Sequence, residues 1–205
     1  VKITRDAELD LEEDVGKSYI EKIRNSVEER MIGDPVRLVY DKKILDSTLK
    51  FIMNKLGISS TDSLIPGGKY HHKRDYMNFP SLYRNDLLYT KVPSLEVKGL
   101  GLDGNIIKSI AQKDYLLYAP YHNYYYVIKF LREAALDPKV KNIKITLYRL
   151  SQNSQVVSSL INAAKNGKKV TVQIELQARF DEKNNIVFAE RLEAAGVVLI
   201  FGVPG

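Results

Sequence analysis

Residues 142–179 read NIKITLYRLSQNSQVVSSLINAAKNGKKVTVQIELQAR, and the fold class turns on this stretch. Ile143, Ile145 and Leu147 alternate with Lys144, Thr146 and Tyr148, the period of two expected of a strand over 142–149. Residues 169–177 form a second run, rich in β-branched residues, that predicts a buried strand. Between them, 155–166 takes up a helical period, and Gly167 follows where a helix C-cap belongs. A strand, a helix and a strand in so short a span predict a parallel βαβ unit with a right-handed crossover.

The same alternation extends in both directions. Downstream, 184–195 reads as a helix closed by Gly196, and 197–202 as a strand. Upstream, 124–136 reads as a helix and 114–120 as a further strand. The earlier part of the chain is less regular and has an α+β pattern. It has a strand over 1–5 and a helix over 17–31 with Tyr19, Ile20, Ile23 and Val27 at helical spacing, stopped by Gly33-Asp34-Pro35. A strand over 36–40 and a helix over 44–56 with Gly57 as its cap follow. From 59 to 104 the pattern weakens into turns, marked by Pro66-Gly67-Gly68, Phe79-Pro80 and Val92-Pro93, and a domain boundary is expected between 95 and 104.

Composition narrows the chemistry. With 205 residues and 44% hydrophobic content, the chain can bury one large core or two small ones. No apolar run approaches the roughly 20 residues of a membrane span, and no signal peptide is recognisable, so a cytoplasmic protein is the default expectation. No cysteine is present, which excludes disulfides and thiolate metal sites. His71, His72 and His122 lack the helical spacing of zinc ligands. A formal charge of +6 suits a polyanionic partner without selecting one. Asp6, Glu8, Asp10, Glu12, Glu13 and Asp14 make the beginning acidic, and a solvated surface is expected there. There is no initiator methionine, and the chain stops just after a strand-like run, so it reads as an internal piece of a longer protein.

Both strands of the opening stretch run into an arginine, Arg149 and Arg179. In a parallel sheet ligands gather beyond the carboxyl ends of the strands. Two guanidinium forks on that rim suit a phosphate chain, since each fork matches two phosphate oxygens. The alternative is that each arginine caps a neighbouring carboxylate such as Glu175 or Asp181. Gly99, Gly101 and Gly104 spell G-x-G-x-x-G, but 119–123 lacks the acidic residue of a dinucleotide site, which favours a linker. Gly67-Gly68-Lys69 lacks the remaining positions of a P-loop and reads as a turn. Tyr115, Tyr118, Tyr121, Tyr124, Tyr125 and Tyr126 are read as packing residues before base-stacking ones. The basic cluster from Lys69 to Arg74, with His71 and His72 inside it, is read as a solvated loop. His122 receives no role.

Several blocks taken together carry a family resemblance: Thr4-Arg5-Asp6-Ala7-Glu8-Leu9-Asp10, Ile65-Pro66-Gly67-Gly68-Lys69-Tyr70-His71, Leu147-Tyr148-Arg149, Asn166-Gly167-Lys168-Lys169-Val170-Thr171-Val172, Glu175-Leu176-Gln177-Ala178-Arg179-Phe180-Asp181-Glu182 and Gly202-Val203-Pro204-Gly205. In this order the chain closely resembles the first family of bacterial polyphosphate kinases. The resemblance implies an ATP:polyphosphate phosphotransferase that works reversibly, with magnesium, through a phosphohistidine. Its partners would be ATP and inorganic polyphosphate rather than nucleic acid. It further implies a homo-oligomer in the cytoplasm, with peripheral membrane attachment left open.

The resemblance assigns 1–95 to the later part of the middle, or head, domain. It assigns 96–205 to the first half of a phospholipase D-like domain with an incomplete parallel sheet. Arg149 and Arg179 match the two family arginines beside the phosphates and the magnesium site. The phosphate-accepting histidine belongs to an H-x-K motif after the G-V-P-G turn, beyond residue 205, so the isolated piece is expected to be inactive. A phospholipase D-like phosphodiesterase and a non-catalytic polyanion-binding module are the rival readings.

Overall fold

The computed structural model describes residues 1–6, 18–59, 63–80, 82–178 and 181–202, without the side chains of Arg30 and Met31. Most of the acidic beginning therefore lies outside the described residues, as does Lys17, the expected first residue of the first helix. The chain divides into two compact units, Val1–Lys17 with Arg24–Thr90, and Ser18–Ile23 with Lys91–Gly205.

In the first unit, β1 (Lys2–Arg5), β2 (Pro35–Asp41) and β3 (Ser63–Gly67) form one sheet in the order β1-β2-β3. β1 runs antiparallel to β2, and β3 runs parallel to it. Helix α1 (Tyr19–Ile32) opens with a reciprocal cap: the Ser18 hydroxyl accepts from the Glu21 amide, and the Ser18 amide donates to the Glu21 carboxylate at 2.9 Å. Its Ile20, Ile23 and Val27 are buried at the spacing read from the sequence, whereas Tyr19 is partly exposed. A side chain at Gly33 would stand 2.9 Å from the Asp6 carbonyl oxygen, so the chain can return beside β1 only without one. Arg5 donates to the Gly33 carbonyl at 2.7 Å and closes that turn.

Helix α2 (Asp46–Leu56) ends on Gly57 in the left-handed region, φ 66°, as its cap position requires. The turn expected at Pro66-Gly67 is instead the end of strand β3. Proline is tolerated there because, among the described residues, β3 is an edge strand paired with β2 alone, so a missing N–H leaves no rung empty on its outer side.

The second unit begins with loops around a small cluster, Leu100, Ile106 and Tyr126, with Tyr115 and Leu117 packed against it. That packing explains the alternation over 114–120, which forms no strand. Tyr115 and Leu117 turn toward the cluster, Leu116 and Tyr118 face solvent, and no ladder forms. Short helix α3 (Ile106–Ile110) is held to helix α4 (Tyr125–Leu136) by Glu133, which accepts from the Ile107 amide at 3.1 Å and pairs with Lys129 at 2.8 Å. Burial pushes the Glu133 carboxyl up, but Lys129 and the Ile107 and Ile106 amides outweigh it and hold the group below the ordinary glutamate range.

The parallel sheet follows. β4 (Asn142–Leu147), α5 (Gln155–Lys165), β5 (Lys169–Ile174), α6 (Glu182–Glu193) and β6 (Val198–Phe201) alternate, and the strands lie side by side in sequence order, all parallel. Val170, Val172 and Ile174 of central β5 are almost wholly buried. At about 1.5–3 kcal/mol for each such side chain, they are a main source of cohesion here. Ser154 caps α5 by accepting from the Val157 amide.

The turn between α5 and β5 does more than reverse the chain. Asn166 donates to the Ala135 carbonyl at 3.1 Å, and the Lys168 ammonium donates to the Asp137 and Val140 carbonyls at 2.6 and 2.9 Å. A cation is thereby placed on carbonyls just beyond the end of α4, where the helix dipole favours it. Lys168→Met is expected to cost about 1–2 kcal/mol of stability, read as a lower urea midpoint at unchanged slope. No shift in the midpoint would mean that water replaces both bonds.

Candidate functional site

Parallel pairing sets Leu147 against Ile174 and Ile174 against Phe201, so all three strands finish at one edge. Arg149 follows β4 by two residues at that edge. It lines an open cavity of about 450 Å³ together with Tyr124, Tyr125, Ser151 and Gln155. Its Nη1 donates to Asp181 Oδ2 at 2.8 Å, and its guanidinium carbon lies 5.5 Å from the centre of the Tyr148 ring.

The carboxylate partner considered from the sequence is thus present, as Asp181. The Arg149 side chain is 49% exposed and that of Asp181 29%. An ion pair this open to water is worth at most about 1 kcal/mol. A phosphate group, with more charge and more acceptors, can compete for the fork with a contact this open to water.

Arg179 lies outside the described residues. The described residues nearest to it are Ala178, fully buried, and Asp181, the cap of α6. Glu175 accepts from the Gln177 amide at 2.7 Å. Burial, and then the Glu175 charge, raises the Tyr19 hydroxyl above its ordinary value.

Asn185 is a residue of this rim that the sequence reading did not single out. It is 1% exposed, and its Nδ2 donates to the Tyr148 carbonyl at 2.8 Å and the Glu175 carbonyl at 2.7 Å. Its signal in the sequence is a polar residue on the helical stripe shared with Ala189 and Leu192, both fully buried.

The remaining candidates resolve into structural parts. No strand leads directly into Gly99 and the helix that follows Gly104 is the five-residue α3, so the glycine pattern is a linker, with Gly99 at φ 82° and its carbonyl accepting from the Tyr115 hydroxyl at 2.7 Å. Gly67-Gly68-Lys69 leads from β3 into a 3-10 turn and not into a phosphate-binding helix. Tyr126 is core, while Tyr124 and Tyr125 border the cavity beside Arg149. His122 Nδ1 accepts from the Tyr118 amide at 2.8 Å and pins the turn through the cis Ala119–Pro120 bond. His71 and His72 belong to the first unit, where they line a cleft with Lys69, Tyr70 and Asp75. Among the described residues, no group of three or more histidine or acidic side chains is gathered as metal ligands.

Comparison with known proteins follows the division into units. A family model for the polyphosphate kinase middle domain matches residues 1–79, and one for polyphosphate kinase C-terminal domain 1 matches 105–205. A polyphosphate kinase of Yersinia pestis is 44% identical over 205 residues, covering all of this chain and 30% of that protein. One from Escherichia coli (strain K12) is 43% identical over 209 aligned residues, again with 30% of that protein covered. The crystal structure of polyphosphate kinase from Porphyromonas gingivalis superposes with a TM-score of 0.66 at 34% identity, over 83% of this chain and 26% of that one. The chain spans about 30% of the length of the curated relatives it matches.

Proposed function

Since the chain belongs to the polyphosphate kinase family, we propose that it supplies part of the phosphate-binding wall of an enzyme that reversibly transfers the terminal phosphate of ATP to polyphosphate. The observation that carries this reading is Arg149: half-exposed, at the carboxyl edge of the parallel sheet, bordering an open cavity and in water-exposed contact with Asp181. Arg179 is assigned to the same wall by its match to the family motif. In the proposed reaction a histidine nitrogen attacks the terminal phosphorus, the bond to the ADP oxygen breaks and ADP leaves. The end oxygen of polyphosphate then takes the phosphoryl group from the histidine. That histidine belongs to the H-x-K segment that follows the G-V-P-G turn in the family, and His71, His72 and His122 do not occupy its position. Residues 1–205 bind and orient phosphate and offset its charge, and they are expected to make no polymer by themselves.

Magnesium would arrive with the nucleotide, as part of the substrate. This ion commonly binds through substrate phosphates and one or two carboxylates. The rim has such carboxylates in Asp181 and Glu175, and Arg149 would face phosphate oxygens and not the metal. Residues 1–95 are proposed to form the later part of the head domain, and 96–205 the first half of the phospholipase D-like domain. The division into units near residue 90 and the spans of the two family models support this. No described helix is long and apolar enough to cross a membrane. The intact protein is proposed to be a cytoplasmic homo-oligomer.

The test is made on the full-length protein containing this chain. ATP and magnesium should yield polyphosphate, and ADP with polyphosphate should yield ATP. Cleavage of a phosphodiester without either reaction would replace the kinase reading by the phosphodiesterase one.

A further inference from the structure

We propose that Asn185 is a positioning residue for phosphate contact by Arg149, an inference that rests on the function proposed above. The Tyr148 carbonyl belongs to the peptide unit that carries the Arg149 nitrogen. Fixing that carbonyl fixes the plane from which the arginine side chain leaves the backbone. Asn185 does so at 2.8 Å, and with its second amide proton it holds the Glu175 carbonyl at 2.7 Å. Both carbonyls lie just past the ends of β4 and β5, where the Glu175 amide donates to the Leu147 carbonyl at 3.2 Å. Asn185 thus supplies a side-chain rung at the mouth of the sheet.

The first turn of α6 therefore holds two successive residues in two ways. Asn185 fixes the backbone at Tyr148, and Asp181, one helical turn earlier, takes the guanidinium of Arg149. The orientation of the Asn185 amide follows from its partners, because a flipped amide would set its oxygen against two carbonyl oxygens. In the orientation these bonds require, Oδ1 is buried and has no hydrogen-bond partner among the described residues. An unpaired buried acceptor is a cost that a leucine at this position of an apolar stripe would avoid. Retaining asparagine here is accounted for by its two donors.

The test is a double-mutant cycle in the full-length enzyme, combining Asn185→Leu with Arg149→Ala and following kcat and KM for polyphosphate synthesis together with the unfolding midpoint. Asn185→Leu should lower kcat/KM by roughly 10-fold in the presence of Arg149 and by less than about 2-fold in the Arg149→Ala background. Asn185→Ser retains one donor, should give an intermediate loss, and serves in place of Asn185→Leu if that variant does not fold. Equal losses in both backgrounds, or losses that follow the unfolding midpoint alone, would overturn the positioning role and leave the kinase reading intact. If Arg149→Ala itself leaves synthesis unchanged, Arg149 falls as a phosphate contact and the role of Asn185 falls with it. A wild-type protein that forms no polymer would instead defeat the function proposed for the chain.

Discussion

Arg149→Lys in the full-length enzyme is expected to lower polyphosphate synthesis by roughly 10- to 100-fold, the equivalent of one lost hydrogen bond to a charged group. The guanidinium bonds Asp181 in a solvent-exposed contact, and its planar fork can match two phosphate oxygens in a fixed geometry. An ammonium is a point charge on a flexible stem, and if it stays with Asp181 it no longer offers a fork. Because the positive charge is retained, the salt dependence of polyphosphate binding should change little while the rate falls. Arg149→Ala should reduce both. Stability should move by at most about 1 kcal/mol, since the Asp181 pair is open to solvent. If Arg179 shares that wall as proposed, Arg179→Lys should show the same loss of synthesis. Wild-type rates in both lysine variants would leave the rim without a role in phosphate transfer.

The largest loss of stability is expected from Leu160→Ala. Leu160 is fully buried on α5, the helix that packs on α4, α6 and β5. Truncation removes its transfer free energy and leaves a cavity that close-packed neighbours fill only in part, at a cost of about 2–5 kcal/mol. That is a large share of the roughly 5–15 kcal/mol by which domains are stable. Urea unfolding checks it, with a lower midpoint at unchanged slope as the expected outcome. A shift below about 1 kcal/mol would mean that the helix layer collapses freely around the gap.

The elements most legible in the sequence are those whose side chains report their surroundings directly. Val170, Val172 and Ile174 mark a strand because all three are buried, and Gly57 and Gly167 mark helix ends because both take positive φ. Strand β3 was obscured because Pro66-Gly67 usually signals a turn, and only the pairing with β2 shows that this edge accommodates a proline. The alternation over 114–120 misled for the opposite reason. Tyr115 and Leu117 do face one side together, but toward a cluster of Leu100, Ile106 and Tyr126 and not within a ladder. In the site, an arginine just past a strand end was legible in the sequence, and its contact with phosphate is what is proposed for it. The Asn185 bonds were not, since Tyr148 and Glu175 are 37 and 10 residues away and are gathered only by the completed sheet.

The neighbour order of β4, β5 and β6 bears on how the protein is made. Each strand lies beside the one synthesised just before it, and one intervening helix suffices to bring it there. Growth on the ribosome can therefore add rungs one at a time, with no gap held open for a segment still to emerge. The rim that carries Arg149 is raised by that same succession, so the edge proposed to meet phosphate advances as translation proceeds.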